Sequence, residues 1–202
     1  MTYKDFISFL EKLDYRPKLL LHSCCGPCST SVIEFLNKYF DLDIYYYNPN
    51  IYPEDEYVLR CNTQKSLLDN FPNIKLIEGN YEPLLYEKTV LGLEGEREGG
   101  KRCYLCIKLR MEKAAIYAKE NGYDFFTTTL SVSPHKNSKM INEIGFDLEK
   151  KYDISYLYSD FKKRDGYKRS IELSKLYSLY RQDYCGCKYS KNMTKKVNID
   201  LL

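Results

Sequence analysis

Seven of the eight cysteines fall into three tight groups, Cys24 with Cys25 and Cys28, Cys103 with Cys106, and Cys185 with Cys187, which leaves Cys61 alone. Thiolate is the soft ligand that selects iron-sulfur clusters, zinc and copper(I), so the grouping points to metal. Groups this far apart in the chain can serve one site only if the fold brings them together, and that requirement constrains the architecture more than any other feature. A disulfide framework fits poorly, because 202 residues can bury an ordinary core without staples. The opening "MTYKDFISFLEKLDYRPK" is charged and amphipathic and lacks the apolar core of a secretory leader. A structural zinc site usually draws on two Cys-x-x-Cys pairs. Cys25–Cys28 and Cys103–Cys106 have that spacing, but vicinal Cys24 and the one-residue gap of Cys185-Gly186-Cys187 give more thiols than one tetrahedral ion takes. The surplus favours a cluster, or a cluster plus another metal.

No apolar run is long enough to span a bilayer, and no Gly/Ser-rich or Pro-rich stretch separates two halves. The expectation is one soluble cytoplasmic domain over residues 1–202, with a tail from about residue 190. A formal charge of +3 is too small to establish a nucleic-acid partner, since phosphate binding depends on local charge.

Helical and strand periodicities alternate along the chain. A helix is expected over roughly residues 2 to 14, then a buried strand at "KLLLHS", the "CCGPCS" turn, and a helix at "TSVIEFLNKYF". "DLDIYYYN", "NIKLIEG", "DFFTTTLS" and "SYLYSDF" read as further strands. Helices are expected from Glu54 to Asn70, at the start of "YEPLLYEKTVLGLEGEREGG", over "RCYLCIKLRMEKAAIYAKENGY" with a glycine cap at Asn121-Gly122, over "KNSKMINEIGFDLEKKY", and over "YKRSIELSKLYSLYRQ". This alternation implies an α/β chain with a doubly wound, mostly parallel five-stranded, Rossmann-like sheet, and helical additions that carry cysteine ligands. The first cysteine group, Asn48-Pro49-Asn50, "SVSPHKN" and "DFKKRDGY" all follow strands, so one edge of the sheet collects the unusual residues.

The strings "HSCCGPCS", "YYNPNI", "GGKRCYLC", "TTTLSVSPHKN", "DFKKRDGYKRS" and "YRQDYCGCKYS" together resemble the cobalamin-independent epoxyqueuosine reductases, the QueH family, along essentially the whole chain. The resemblance implies a sheet of the nucleotide alpha-hydrolase type. It also implies reduction of the epoxide of epoxyqueuosine to queuosine at the wobble position of tRNA, with a [4Fe-4S] cluster and an adjacent mononuclear iron. By the same resemblance Cys24, Cys25, Cys103, Cys106, Cys185 and Cys187 are expected metal ligands, and Asp160 the hard ligand of the single iron. Cys28 is either a further ligand or a buried small hydrophobe. Removing an epoxide oxygen takes two electrons and two protons, and ordinary side chains supply no electrons, so the chemistry calls for such a cofactor. No flavin or nicotinamide fingerprint is present, which makes an external donor such as ferredoxin or flavodoxin the natural expectation.

Each remaining candidate carries two readings. His135, in a polar loop after a strand, is either the proton donor to the leaving oxygen or a solvated loop residue, and His22 is either packed or functional. The other reading of Asp160 is a helix cap or a pair with Lys162 or Lys163. Lys162, Lys163, Arg164 and Tyr167, with Lys101 and Arg102 beside the second cysteine pair, form basic surroundings suited to tRNA, although a charge run is commonly just a solvated face. Two rivals stand beside the reductase: an ATP-dependent tRNA thiolation-type enzyme, which would want a glycine-rich phosphate loop where "HSCCGPCS" stands, and a non-catalytic zinc-bound RNA-binding module.

Overall fold

The computed structural model describes residues 2–191, so all but the first residues of the expected tail lie outside it. Helix α1 (Tyr3–Glu11) opens on a capping box in which the Thr2 side chain accepts from Asp5 N and the Asp5 carboxylate accepts from Thr2 N at 2.7 Å. Strands β1 (Lys18–His22), β2 (Asp41–Tyr46), β3 (Leu76–Glu78), β4 (Phe125–Thr128) and β5 (Ser155–Tyr156) form one sheet in the order β3-β2-β1-β4-β5. Every pairing is parallel. Between them run α2 (Gly26–Leu36), α3 (Glu54–Leu68), α4 (Pro83–Thr89), α5 (Lys101–Glu120) and α6 (Ser138–Tyr152), with α7 (Gly166–Leu176) last.

A parallel sheet is covered on both faces, and the apolar run of β1 shows how. Successive strand residues point to opposite sides, so Leu19 and Leu21 enter a core with Phe6, Val32, Ile33 and Leu36 from α1 and α2, whereas Leu20 enters a second core with Ile107, Met111, Ala114 and Ile144 from α5 and α6. Burial of each large apolar side chain contributes about 1.5–3 kcal/mol. Strand order reverses between β1 and β4, and His22 is in register with both Tyr45 of β2 and Thr128 of β4. The loops that leave these three strand ends therefore adjoin at a topological switch point, where such sheets bind ligands.

The expected strands are present but two are shorter. "SYLYSDF" keeps only Ser155–Tyr156 in the ladder, because Ser159 N donates to the Asn142 side chain at 2.9 Å rather than to a strand. "NIKLIEG" likewise reduces to Leu76–Glu78 at the sheet's edge. The final helix stops at Leu176, well short of Gln182, as Ser178 turns to a φ of 51°. The Asn121-Gly122 cap forms as expected, with Gly122 at φ 70°.

Candidate metal centre

Cys24, Cys25 and Cys28 place their sulfurs within 4.8 Å of one another, and among the described residues no other group of potential ligands is as close. The backbone explains this: Cys25 is extended at φ −175° as N-cap of α2, so the chain turns sharply between a strand and a helix that begins at Gly26-Pro27. Gly26 is needed there, since a Cβ would stand 2.9 Å from the Thr63 carbonyl on α3. Ser23 and Ser29 both donate to Gln64 Oε1, at 2.7 and 2.8 Å, and tie the turn to that helix. Hydrogen bonds from Cys25 and Cys28 hold the Cys24 thiol well below its ordinary range, while burial and the Cys24 neighbour push Cys25 up to about 12. Gln182 Nε2 donates to Cys25 Sγ at 2.8 Å.

The other two groups meet one another. Cys103, Cys106, Cys185 and Cys187 line a single small cavity of about 10 Å³ together with Asn50, Arg102, Arg110 and Lys136. N–H donors already point at three of the sulfurs: Gly99 N to Cys103 at 3.2 Å, Lys136 Nζ to Cys185 at 3.0 Å, and Ser190 N to Cys187 at 3.4 Å. Such N–H···S bonds favour the thiolate form that a metal needs. All eight cysteines are free thiols. Arg110, Lys136 and Cys185 also line a second, larger cavity of about 620 Å³ that reaches Cys24 and Cys28. The two thiol groups thus adjoin and share a wall.

A family model described as "Epoxyqueuosine reductase QueH" matches residues 19–193. The chain belongs to the epoxyqueuosine reductase QueH family. It is 46% identical over 194 residues to the epoxyqueuosine reductase QueH of Staphylococcus aureus, covering 93% of this chain and 81% of that one. The relative from Streptococcus pyogenes is 44% identical over 91% of this chain and 74% of its own, and that from Thermotoga maritima 34% identical over 85% and 89%. The fold is similar to that of the U34-tRNA thiolase NcsA from Methanococcus maripaludis, solved with its [4Fe-4S] cluster, at a TM-score of 0.52 and 13% identity, covering 98% of this chain and 74% of that one. That likeness concerns the fold, and it explains why a thiolation enzyme and a QueH-family reductase compete for the same sequence pattern.

In this QueH-family chain the large cavity gathers Cys24, Cys28, His135, Tyr167 and Cys185 from the expected residues. Cys28 packs against the α1–α2 core and also shares the thiol triad, so both readings of it meet in one position. Asp160 is buried but lines neither cavity; its Oδ1 stands 4.0 Å from Lys162 Nζ, which itself donates to the Lys136 carbonyl at 2.9 Å. Lys163 and Arg164 line a separate groove against α1 with Tyr3 and Glu11. Arg102 is 1% exposed and is spent inside the protein, donating to the carbonyls of Leu93 and Glu94 and lying 4.5 Å from the Tyr189 ring, whereas Lys101 is exposed. His22 is packed: Nε2 bonds the Tyr47 carbonyl at 3.0 Å and Nδ1 bonds Thr128 Oγ1 at 2.9 Å, and burial pushes its pKa down to about 4.

Arg60, Arg110, Arg181, Gln182 and Asp183 line the large cavity and were not legible as site residues. Arg110 had a signal, because it follows Cys103 and Cys106 by seven and four positions on one helix and so shares their face. Arg60 had none, since it reaches the site from α3 only through the tertiary fold. Its Nη1 and Nη2 donate to the carbonyls of Cys185 and Tyr184 at 3.4 and 3.2 Å.

Proposed function

We propose that this chain reduces the epoxide of epoxyqueuosine at the wobble position of tRNA, the last step in making queuosine. The observation that carries this reading is a thiol triad beside a cavity of about 620 Å³ lined by Cys24, Cys28 and Cys185, the last of which also belongs to the four-thiol set. The reaction breaks two C–O bonds, forms an alkene and releases the oxygen as water, consuming two electrons and two protons.

The donor sets fit the cofactors that this chemistry needs. Cys24, Cys25 and Cys28 would hold a [4Fe-4S] cluster. Cys103, Cys106, Cys185 and Cys187 line one small cavity of about 10 Å³, and a metal held there would draw on these thiols. When bound, these centres supply the electrons and polarise the C–O bond. Protein groups do the rest. His135 stands at the wall of the large cavity as the proton donor to the leaving oxygen. Tyr167, with the Arg181 guanidinium 5.5 Å from its ring, offers an aromatic face for an extruded anticodon base. Lys101, Lys162, Lys163 and Arg164 suit the tRNA backbone, while Arg102 supports the loop beneath them. Asp160, buried and with an Oδ1 that has no hydrogen-bond partner in the protein, would serve as the hard ligand of the single iron. Electrons arrive from an external donor of the ferredoxin or flavodoxin kind.

Protein purified without oxygen should be brown, contain more iron than one four-iron cluster holds, and convert epoxyqueuosine in tRNA to queuosine when given a reductant. A colourless protein carrying one zinc and showing no conversion would sink the proposal.

A further inference from the structure

Asn50 is 2% exposed, and neither its Nδ2 nor its Oδ1 has a hydrogen-bond partner in the protein. An amide buried in that state carries a desolvation cost that an apolar side chain of similar volume would avoid. Its neighbour two positions earlier shows the contrast. Asn48 is fully used, donating to the Ser23 carbonyl at 2.9 Å and accepting from Arg110 at 3.2 Å. Asn50 instead lines the small cavity of Cys103, Cys106, Cys185 and Cys187, and its Nδ2 lies 3.5 Å from where a Cβ on Gly186 would stand, inside the Cys185-Gly186-Cys187 turn. The unused donor therefore faces the one place where acceptors are concentrated. Three of those four sulfurs already accept an N–H from Gly99, Lys136 or Ser190, so a further donor extends a pattern that is present around the set.

We propose that Asn50 is a positioning residue for the metal of this four-thiol set: its side-chain amide donates an N–H···S hydrogen bond to the metal-bound thiolates and orients the Cys185-Gly186-Cys187 turn. The bond is made when the set is loaded, because metal converts the thiols to thiolates and draws them around one centre. The proposal rests on reading the four cysteines as one metal site, and it does not depend on the reaction.

The probe is cadmium, which thiolates bind and which permits through-bond NMR. In the full chain loaded with magnetically active cadmium and labelled asparagine, a scalar coupling should link cadmium to one side-chain amide, and that signal should vanish in Asn50→Leu. Cadmium bound at the four-thiol set with no such coupling in the wild-type chain overturns the proposal, whatever the variant does. In chelator competition Asn50→Leu should hold cadmium at this set about 10- to 100-fold less tightly, the usual effect of removing a group that supports a ligand. Unchanged affinity with an unchanged melting curve also overturns it. Failure of the four thiols to take up cadmium would overturn both this inference and the reading of the set. Observed coupling in a chain that does not reduce epoxyqueuosine supports the role of Asn50 and removes only the proposed function.

Discussion

Replacing Gly186 by alanine tests whether the third cysteine group is held in its ligating shape by backbone geometry. Gly186 has a φ of 118°, a region that residues with a Cβ occupy at a cost of about 1–3 kcal/mol. The added Cβ would stand 3.0 Å from Arg60 Nη1 and 3.2 Å from Ile51 Cγ1. Arg60 cannot yield cheaply, because its Nε is paired with Glu56 at 2.7 Å and its other nitrogens hold the carbonyls of Cys185 and Tyr184. The turn shifts instead and takes Cys185 and Cys187 with it. If the metal-free turn relaxes and binding must restore the strained form, a penalty of about 1–3 kcal/mol weakens metal binding by roughly 5- to 150-fold. The assay is iron content of oxygen-free protein, followed by chelator competition, with Gly92→Ala as control. Gly92 also has positive φ, 80°, but nothing lies within 4 Å of its Cβ, so that change should leave metal retention alone. Gly186→Ala protein that retains iron as firmly as wild type would refute the argument.

Two other substitutions separate structural from ligating roles. Gly145→Ala in α6 should destabilise the fold by about 1–3 kcal/mol in urea titration, because its Cβ would press into the Tyr156 ring; a stabilised variant would mean that the helix-propensity gain of about 1 kcal/mol wins instead. Asp160→Ala should keep the cluster's spectrum but lose one iron per chain and epoxide reduction; full iron content with unchanged activity would remove Asp160 from the site.

The fold was readable because its period is carried by local runs. Leu19, Leu20 and Leu21 announce a strand buried on both faces, and the Cys103-to-Glu120 stretch announces a long helix. Strand length was less readable, since Ser159 leaves the ladder for a side chain 17 positions earlier, a tertiary event with no local mark. In the site, cysteine spacing marked the thiols, but only the fold separates them into a triad and a four-thiol set. The basic run at Lys162–Arg164 shows the limit of charge patterns: one strand-to-helix loop turns Tyr167 toward the large cavity, and Lys163 and Arg164 toward a groove on α1.

Arg110 shows why the two thiol groups behave as one electrostatic unit. Its side chain is 3% exposed and its hydrogen bonds go to neutral acceptors, the Cys106 carbonyl at 3.3 Å and Asn48 Oδ1 at 3.2 Å. Among the described residues no carboxylate pairs with it. Guanidinium does not deprotonate, and burying an unpaired cation costs several kcal/mol, a cost that thiolates formed beside it would offset. Burial opposes that charge, yet Cys106, Cys24 and Cys185 hold Arg110 above its ordinary pKa, and these sulfurs belong to both groups. Lys136 at the shared wall differs in having a carboxylate partner: it donates to Cys185 Sγ and pairs with Glu98 at 3.6 Å. Two buried cations between two sets of thiols stabilise any of these sulfurs that ionises, against the burial that pushes Cys106 up to about 11. Thiolate is the form that metal selects, so these cations favour the loaded site, in which metal converts the thiols to thiolates.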